Sequence, residues 1–321
     1  MNVTRPNILN DATALRKYCD GINTLKNEFA GPTSQDLGID GPAQPVSTYD
    51  LFVVWHVNAM MTLTPATNNP EGRNAAHRGP VFLPWHRFML RQLELNLQRV
   101  LSDQSFGLPY WDWAADGEGS AQDQLSSPLW KPDGIGGSGT PITNGPFVPD
   151  ANDPKSFAVR IDTDSDGNLR QVNRGLERSL GQAIDTLPNK TDTASVLQGS
   201  PYDTAPWTAR SAGFRNQLEG WMPNPPGLHN RVHVWIGGDM SPASSPNDPV
   251  FFLNHCNVDR IWEAWMQKLQ NGRVYLPNQN APNSLKGHRI NDQLSSLLSA
   301  PTTPAAVLDS TAQYVYDSLQ V

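Results

Sequence analysis

The sequence predicts a mainly α protein with long loops and a few short strands. Three observations carry this. Apolar residues recur at helical spacing in several long stretches. The segments between them hold much of the chain's 28 Pro and 25 Gly. A single stretch, "AVRIDTDSDGNLRQV", reads as a hairpin, with its turn at Asp166-Gly167.

The first helix is expected from about Asn10 to Phe29, where Leu15, Tyr18, Cys19, Ile22 and Leu25 share a face. A Gly/Pro-rich connection, Gly31 to Pro45, follows. "STYDLFVVWHVNAMM" begins with a helix cap at Ser47 or Thr48 and Asp50 in its first turn. It is apolar on nearly all sides, so it reads as a buried helix with His56 in its middle. Thr62 to Pro84 is loop-like and holds His77. "HRFMLRQLELNLQRVL" is amphipathic, with His86, Leu90, Leu93 and Leu97 on one stripe. Residues 115–215 are the least regular part. A short helix is expected around Arg174 to Ala183, and another at Ser211 to Trp221. Another begins near His229. A last one follows "SPNDPV", with Phe251, His255, Asp259 and Trp262 on one side. The tail to Val321 reads as irregular and superficial. "DTDSDG" opens like a calcium loop, but position twelve is Asn173 rather than a bidentate Glu, so no calcium site is read.

Composition excludes several classes. A net charge of −7 and a pI near 5.4 offer no basic face to nucleic acid. No run of about 18 apolar residues exists, so no membrane span is expected. The N-terminal stretch lacks the apolar core of a secretory signal. Localisation therefore stays open between the cytoplasm, export on a partner, and a matured precursor. Cys19 and Cys256 could pair, with two buried free thiols as the plainer reading, and without a CxxC no thiolate zinc site is expected.

The seven His are the informative residues. His288, in the polar "LKGHRIND", reads as a surface residue. The other six fall into two groups, 56/77/86 and 229/233/255. Burying six imidazoles requires a partner for every ring nitrogen, and a metal satisfies several at once. His229 and His233, four apart, share a helix face. Position 230 is Asn, so this is not HExxH, and no ExxH occurs. Sites built of imidazole alone suit copper or zinc rather than calcium or magnesium.

Four stretches, "HRGPVFLPWHRFMLRQLE", "LPYWDW", "LHNRVHVWIGGDM" and "SPNDPVFFLNHCNVDRIWEAW", together resemble the type-3 copper proteins, and bacterial tyrosinases within them. "LERSLGQ", residues 176–182, is similar to the family's segment ahead of its second copper site. The resemblance implies a four-helix bundle holding a dinuclear copper centre. It treats residues 1–321 as a single catalytic domain, with a copper A region at about 47–100 and a copper B region at about 211–270. It assigns His56, His77 and His86 to copper A, and His229, His233 and His255 to copper B. Ala75 stands where some members carry a thioether Cys. Asn254 stands where many have a second His. Asp259 resembles a carboxylate that orients a ligand, and Asp112 a buried structural acid. "QYVYD", with Tyr314 and Tyr316, resembles the motif that ends the family's catalytic core, with Arg5 as its packing partner and no shielding domain after it. Glu219 and Asn230 match residues that polarise a water in tyrosinases, and Phe251 is a pocket candidate. The implied activity is ortho-hydroxylation of monophenols and oxidation of o-diphenols to o-quinones, with O2 as co-substrate. A catechol or o-aminophenol oxidase is the alternative, and a hemocyanin-like oxygen carrier a more distant one. The implied partners are small phenolic substrates and a copper-delivery chaperone.

Overall fold

The computed structural model describes residues 2–29, 31–65, 72–222, 227–268 and 273–321. Strand β1 (Val3–Arg5) leads into α1 (Ala12–Lys26), whose first N–H groups are capped by the Asp11 carboxylate. Helix α2 (Thr48–Met61) is capped by Ser47 and is buried along most of its length, as its all-round apolar sequence requires. Helix α3 (Phe82–Val100) starts four residues before the expected His86. Pro84 lies in its first turn, where its missing N–H costs nothing. The remaining long helices are α8 (Leu228–Ile236) and α9 (Val250–Lys268).

Helices α2, α3, α8 and α9 form the central bundle. Trp55 of α2 meets Trp85 and Phe88 of α3 with ring centroids 5.5 and 5.3 Å apart. Phe52 of α2 meets Phe252 of α9 at 5.9 Å. Edge-to-face geometry at such distances adds to the area term of burial. Helix α1 lies across α2 and α3. It approaches α3 closely at Gly21, where a Cβ would sit 2.6 Å from Leu97 Cδ2.

Residues 101–222 wrap this bundle with the short helices α4 (Trp113–Asp116), α5 (Ala121–Leu125), α6 (Lys190–Val196) and α7 (Phe214–Glu219). Within them, β2 (Val159–Thr163) and β3 (Leu169–Arg174) form the expected antiparallel hairpin. The Asp164 carboxylate accepts from the N–H groups of Asp166 and Asn168, which closes its turn.

Three expectations are corrected. Arg174 to Ala183 is not helical. Its N–H groups go elsewhere: Ser179 and Gly181 donate to the carbonyls of Ile236 and Trp235 at the end of α8. Arg178 is drawn into the core by Asp248, at 2.6 and 2.7 Å. The tail is not superficial throughout. After α10 (Pro304–Val307), β4 (Tyr314–Tyr316) pairs in parallel with β1. Arg5 lies over the Tyr314 ring at 3.4 Å and reaches Tyr316 Oη at 3.2 Å, so its expected packing is met. Finally, His288 is buried rather than exposed. Its ring lies under Gly79, whose missing Cβ would fall 2.6 Å from His288 Cε1, and its Nε2 is 2.6 Å from Thr64 Oγ1.

Candidate metal centre

Two trios of histidines converge inside the bundle, and they are the two groups read from the sequence. His56 comes from the middle of α2 and His86 from the first turns of α3. His77 comes from the intervening loop. That loop is built by Asn74, whose side-chain oxygen accepts from the N–H of Ala76 at 3.0 Å and of His77 at 2.6 Å. In the second trio, His229 and His233 lie one turn apart on α8, and His255 lies on α9.

Hydrogen bonds to one side of four rings decide what the other side offers. His56 Nδ1 lies 2.6 Å from the Ala243 carbonyl and His86 Nδ1 2.7 Å from that of Phe82. His233 Nδ1 lies 2.7 Å from the Met240 carbonyl. His229 Nδ1 lies 3.1 Å from the Glu219 carbonyl and 3.0 Å from Asn230 Oδ1. A carbonyl only accepts, so Nδ1 carries the proton and Nε2 presents a lone pair. Nε2 of His56 and of His86 is buried with no hydrogen-bond partner. In the second trio, His255 Nε2 lies 3.2 Å from His229 Nε2 and 3.4 Å from His233 Nε2. One proton cannot satisfy three converging lone pairs. A cation can, and these separations match the roughly 3.3 Å edge of a tetrahedron with metal–nitrogen bonds of about 2.0 Å. The donor set therefore fits a pair of borderline-soft ions such as copper.

The two trios are neighbours. The rings of His86 and His255 stack with centroids 4.1 Å apart. Phe82 and Phe251 each touch both trios: Phe82 is 4.8 Å from His86 and 4.9 Å from His229, and Phe251 is 4.1 Å from His255 and 5.0 Å from His56. Phe251 is thus a wall between ligands rather than part of the open pocket. Burial pushes all six imidazoles down, to about 3 for His56 and about 4 for His233. Neighbouring imidazoles add to the effect at His77, His86, His229 and His255. All six are neutral at neutral pH, the form that ligates.

His56, His77, His229 and His233 open onto a cavity of about 860 Å³, whose other walls include Met60, Met61, Leu63, Trp221 and Val234. A second cavity, about 810 Å³, runs along the β2–β3 hairpin past Phe29, Asp150 and Arg160. It contains no histidine, so the chemistry belongs to the first.

Asn230 lines the histidine cavity, but Glu219 stands behind it. The Glu219 carboxylate is fully buried, and its two oxygens accept from Arg78 N at 2.7 Å and Arg215 Nη1 at 2.8 Å. Burial raises its pKa, with Arg215 opposing. Asp259 does not orient a histidine. Its carboxylate accepts from Arg87 Nε at 2.6 Å and from the hydroxyls of Tyr314 at 2.6 Å and Tyr316 at 2.5 Å. Burial alone would raise it, but Arg87 and Arg5 hold it below the usual range. Asp112 is structural, as expected: it caps α4 and pairs with Arg260 at 3.0 Å. Asn254 is buried and touches no imidazole by hydrogen bond. Both cysteines are buried and unpaired. Sequence reading missed Asn74, Phe82 and Arg78. Asn74 carried a signal, since Asn three residues before a loop ligand is a turn-forming pattern. Residues 224–226 of "NPPG" lie outside the described residues.

The family model for the common central domain of tyrosinase matches residues 46–268. A tyrosinase from Streptomyces glaucescens is 41% identical over 274 residues, covering 84% of this chain and 89% of that one. A grixazone synthase from Streptomyces griseus is 36% identical over 293 residues, covering 84% and 90%. Among solved structures, a polyphenol oxidase variant from Thermothelomyces thermophila superposes with a TM-score of 0.73 at 22% identity, over 99% of this chain and 89% of that one, and so shares the fold. With two histidine trios at its centre, a domain match over most of its length and tyrosinase relatives at this identity, the chain belongs to the tyrosinase family of type-3 copper proteins and is a copper-dependent phenol oxidase.

Proposed function

We propose that the chain ortho-hydroxylates monophenols and oxidises o-diphenols to o-quinones with O2. One copper is held by His56, His77 and His86, and the other by His229, His233 and His255. The observation that carries this reading is the convergence of bare, neutral ring nitrogens in two adjacent trios. Copper bound there would supply the redox chemistry with O2, one electron per ion. The protein supplies everything else. Carbonyls of residues 82, 219, 240 and 243 hold the imidazoles in one tautomer. Phe82 and Phe251 pack their rings against both trios. Met60, Met61, Leu63 and Val234 accept an aromatic ring in the cavity.

An o-diphenol gives up two electrons and two protons. A monophenol must lose its hydroxyl proton and gain an oxygen at the ortho carbon. We assign that first proton to a water held by Asn230 and polarised by Glu219, acting as general base. The position of Asn230 on the cavity wall and the raised proton affinity of Glu219 support this. One observation favours the alternative of a catechol or o-aminophenol oxidase with little hydroxylase activity: both Glu219 oxygens already have partners. Steady-state rates on paired substrates, such as p-cresol and 4-methylcatechol, separate the two after copper loading. Turnover of both supports the hydroxylase. Oxidation of catechols and o-aminophenols with no hydroxylation of any simple phenol establishes the alternative.

A further inference from the structure

The histidine cavity carries one permanent charge among its described lining residues, and that charge is Arg78. Among the described lining residues there is no Asp or Glu. Among the described residues no carboxylate pairs with the Arg78 guanidinium, whose one recorded contact is the face of Trp221, 4.7 Å from the ring centroid. This differs from the treatment of other guanidiniums nearby. Arg87, Arg178 and Arg215 are all buried in ion pairs. The backbone is built to place Arg78 at the rim. Its φ is +59°, a left-handed conformation unusual for a side chain this large. The Glu219 carboxylate pins its N–H from behind. Strain of this kind persists where the surroundings impose it and concentrates at functional sites.

We propose that Arg78, backed by Trp221, is a specificity residue that selects phenols carrying a carboxylate on a short side arm. The inference rests on the phenol-oxidising reading of the same site. A phenol seated against the histidines has its ring among the apolar walls, and its arm extends toward the rim. There a guanidinium donates a planar pair of N–H groups that matches a carboxylate. The chain's net charge of −7 would otherwise disfavour anionic substrates, so one unpaired cation at the entrance has a disproportionate effect on selection. The indole holds the guanidinium in place while leaving its hydrogen-bonding edge free.

The test uses the copper-loaded full chain and three phenols: 3-(4-hydroxyphenyl)propionate, p-cresol and tyramine. The readout is the ratio of kcat/KM for the anion to that for p-cresol, so a general loss of activity cancels. Arg78→Gln should lower this ratio about tenfold, mainly through KM, because a charge-assisted hydrogen bond is lost at a partly solvated rim. Tyramine should improve relative to p-cresol, and Arg78→Lys should restore part of the anion's advantage. In the unmodified protein the ratio should fall as salt is raised, a measurement that needs no variant to fold. An anion ratio that is insensitive to both salt and Arg78→Gln overturns the proposal, even if all three phenols are oxidised. If the copper-loaded parent oxidises none of them, the phenol-oxidising reading of the site fails first, and this inference with it.

Discussion

Acidification before copper is added should collapse the protein well above the pH at which its carboxylates titrate. Burial holds the folded pKa of His56 at about 3 and that of His288 at about 3. A free imidazole titrates near about 6.5. The unfolded chain therefore binds protons that the folded chain refuses. Stability that is present above about pH 6.5 is lost as the pH falls below it. At about pH 5 the loss is about 2 kcal/mol for each of these two groups. His77, His86, His229 and His255 are pushed down in the same sense, by burial first and by other imidazoles second. His233, held at about 4, contributes nearly as much at about pH 5. Glu219 and Asp203 work the other way: burial raises both, so the folded protein takes up their protons early and offsets part of the loss. Whole-domain stability is about 5–15 kcal/mol, so the histidines are numerous enough to consume most of it. Urea unfolding of metal-free protein, followed by fluorescence of the buried tryptophans, should show a midpoint that falls steeply between about pH 7 and about pH 5. Copper should move the transition to lower pH, because ligation requires the neutral rings. Equal midpoints at the two pH values in metal-free protein would refute the reasoning.

Other outcomes follow from the same geometry. His86→Ala or His233→Ala should lower copper content below about two ions per chain and abolish phenol oxidation, whereas His288→Ala should weaken folding but leave the copper count unchanged, as atomic absorption can check. Glu219→Gln and Asn230→Ala should cut monophenol turnover by about 10²–10⁴-fold and o-diphenol turnover far less, with copper retained; equal losses would mean that these residues only support the fold. Asp259→Asn should cost about 1–3 kcal/mol in urea unfolding, because Arg5 and Arg87 lose their shared carboxylate while keeping Glu94 and Glu263. Cys19 and Cys256, their thiols pushed up to about 12 chiefly by burial, should resist a disulfide-exchange reagent at mildly alkaline pH until the chain is denatured.

The helices and part of the histidine grouping were legible in the sequence because both are written in local spacing. Helical hydrogen bonds span four residues, so the apolar stripes of α1, α3 and α9 and the cap at Ser47 could be read directly. His229 and His233 share a face by the same arithmetic. The family's motifs supplied the rest of the six, including His77, whose loop has no periodicity. What distance along the chain conceals is who accepts a hydrogen bond from whom. The tautomer of His56 is set by a carbonyl at Ala243, far along the chain. The helical reading of Arg174 to Ala183 failed because the end of α8 offered its carbonyls to that segment and Asp248 claimed Arg178. His288 looked superficial among polar neighbours, but Gly79 and Thr64 close over its ring in the fold. Asp259 stands one turn after His255, yet Arg5 and Arg87 reach it first from β1 and α3. The sequence alone determined which side chains could bind metal, since that follows from residue type, local period and the family's motifs. Tertiary structure decided which nitrogen most of the imidazoles present, which acids are tied up in ion pairs and which cation lines the histidine cavity, because those depend on partners that only folding brings within reach.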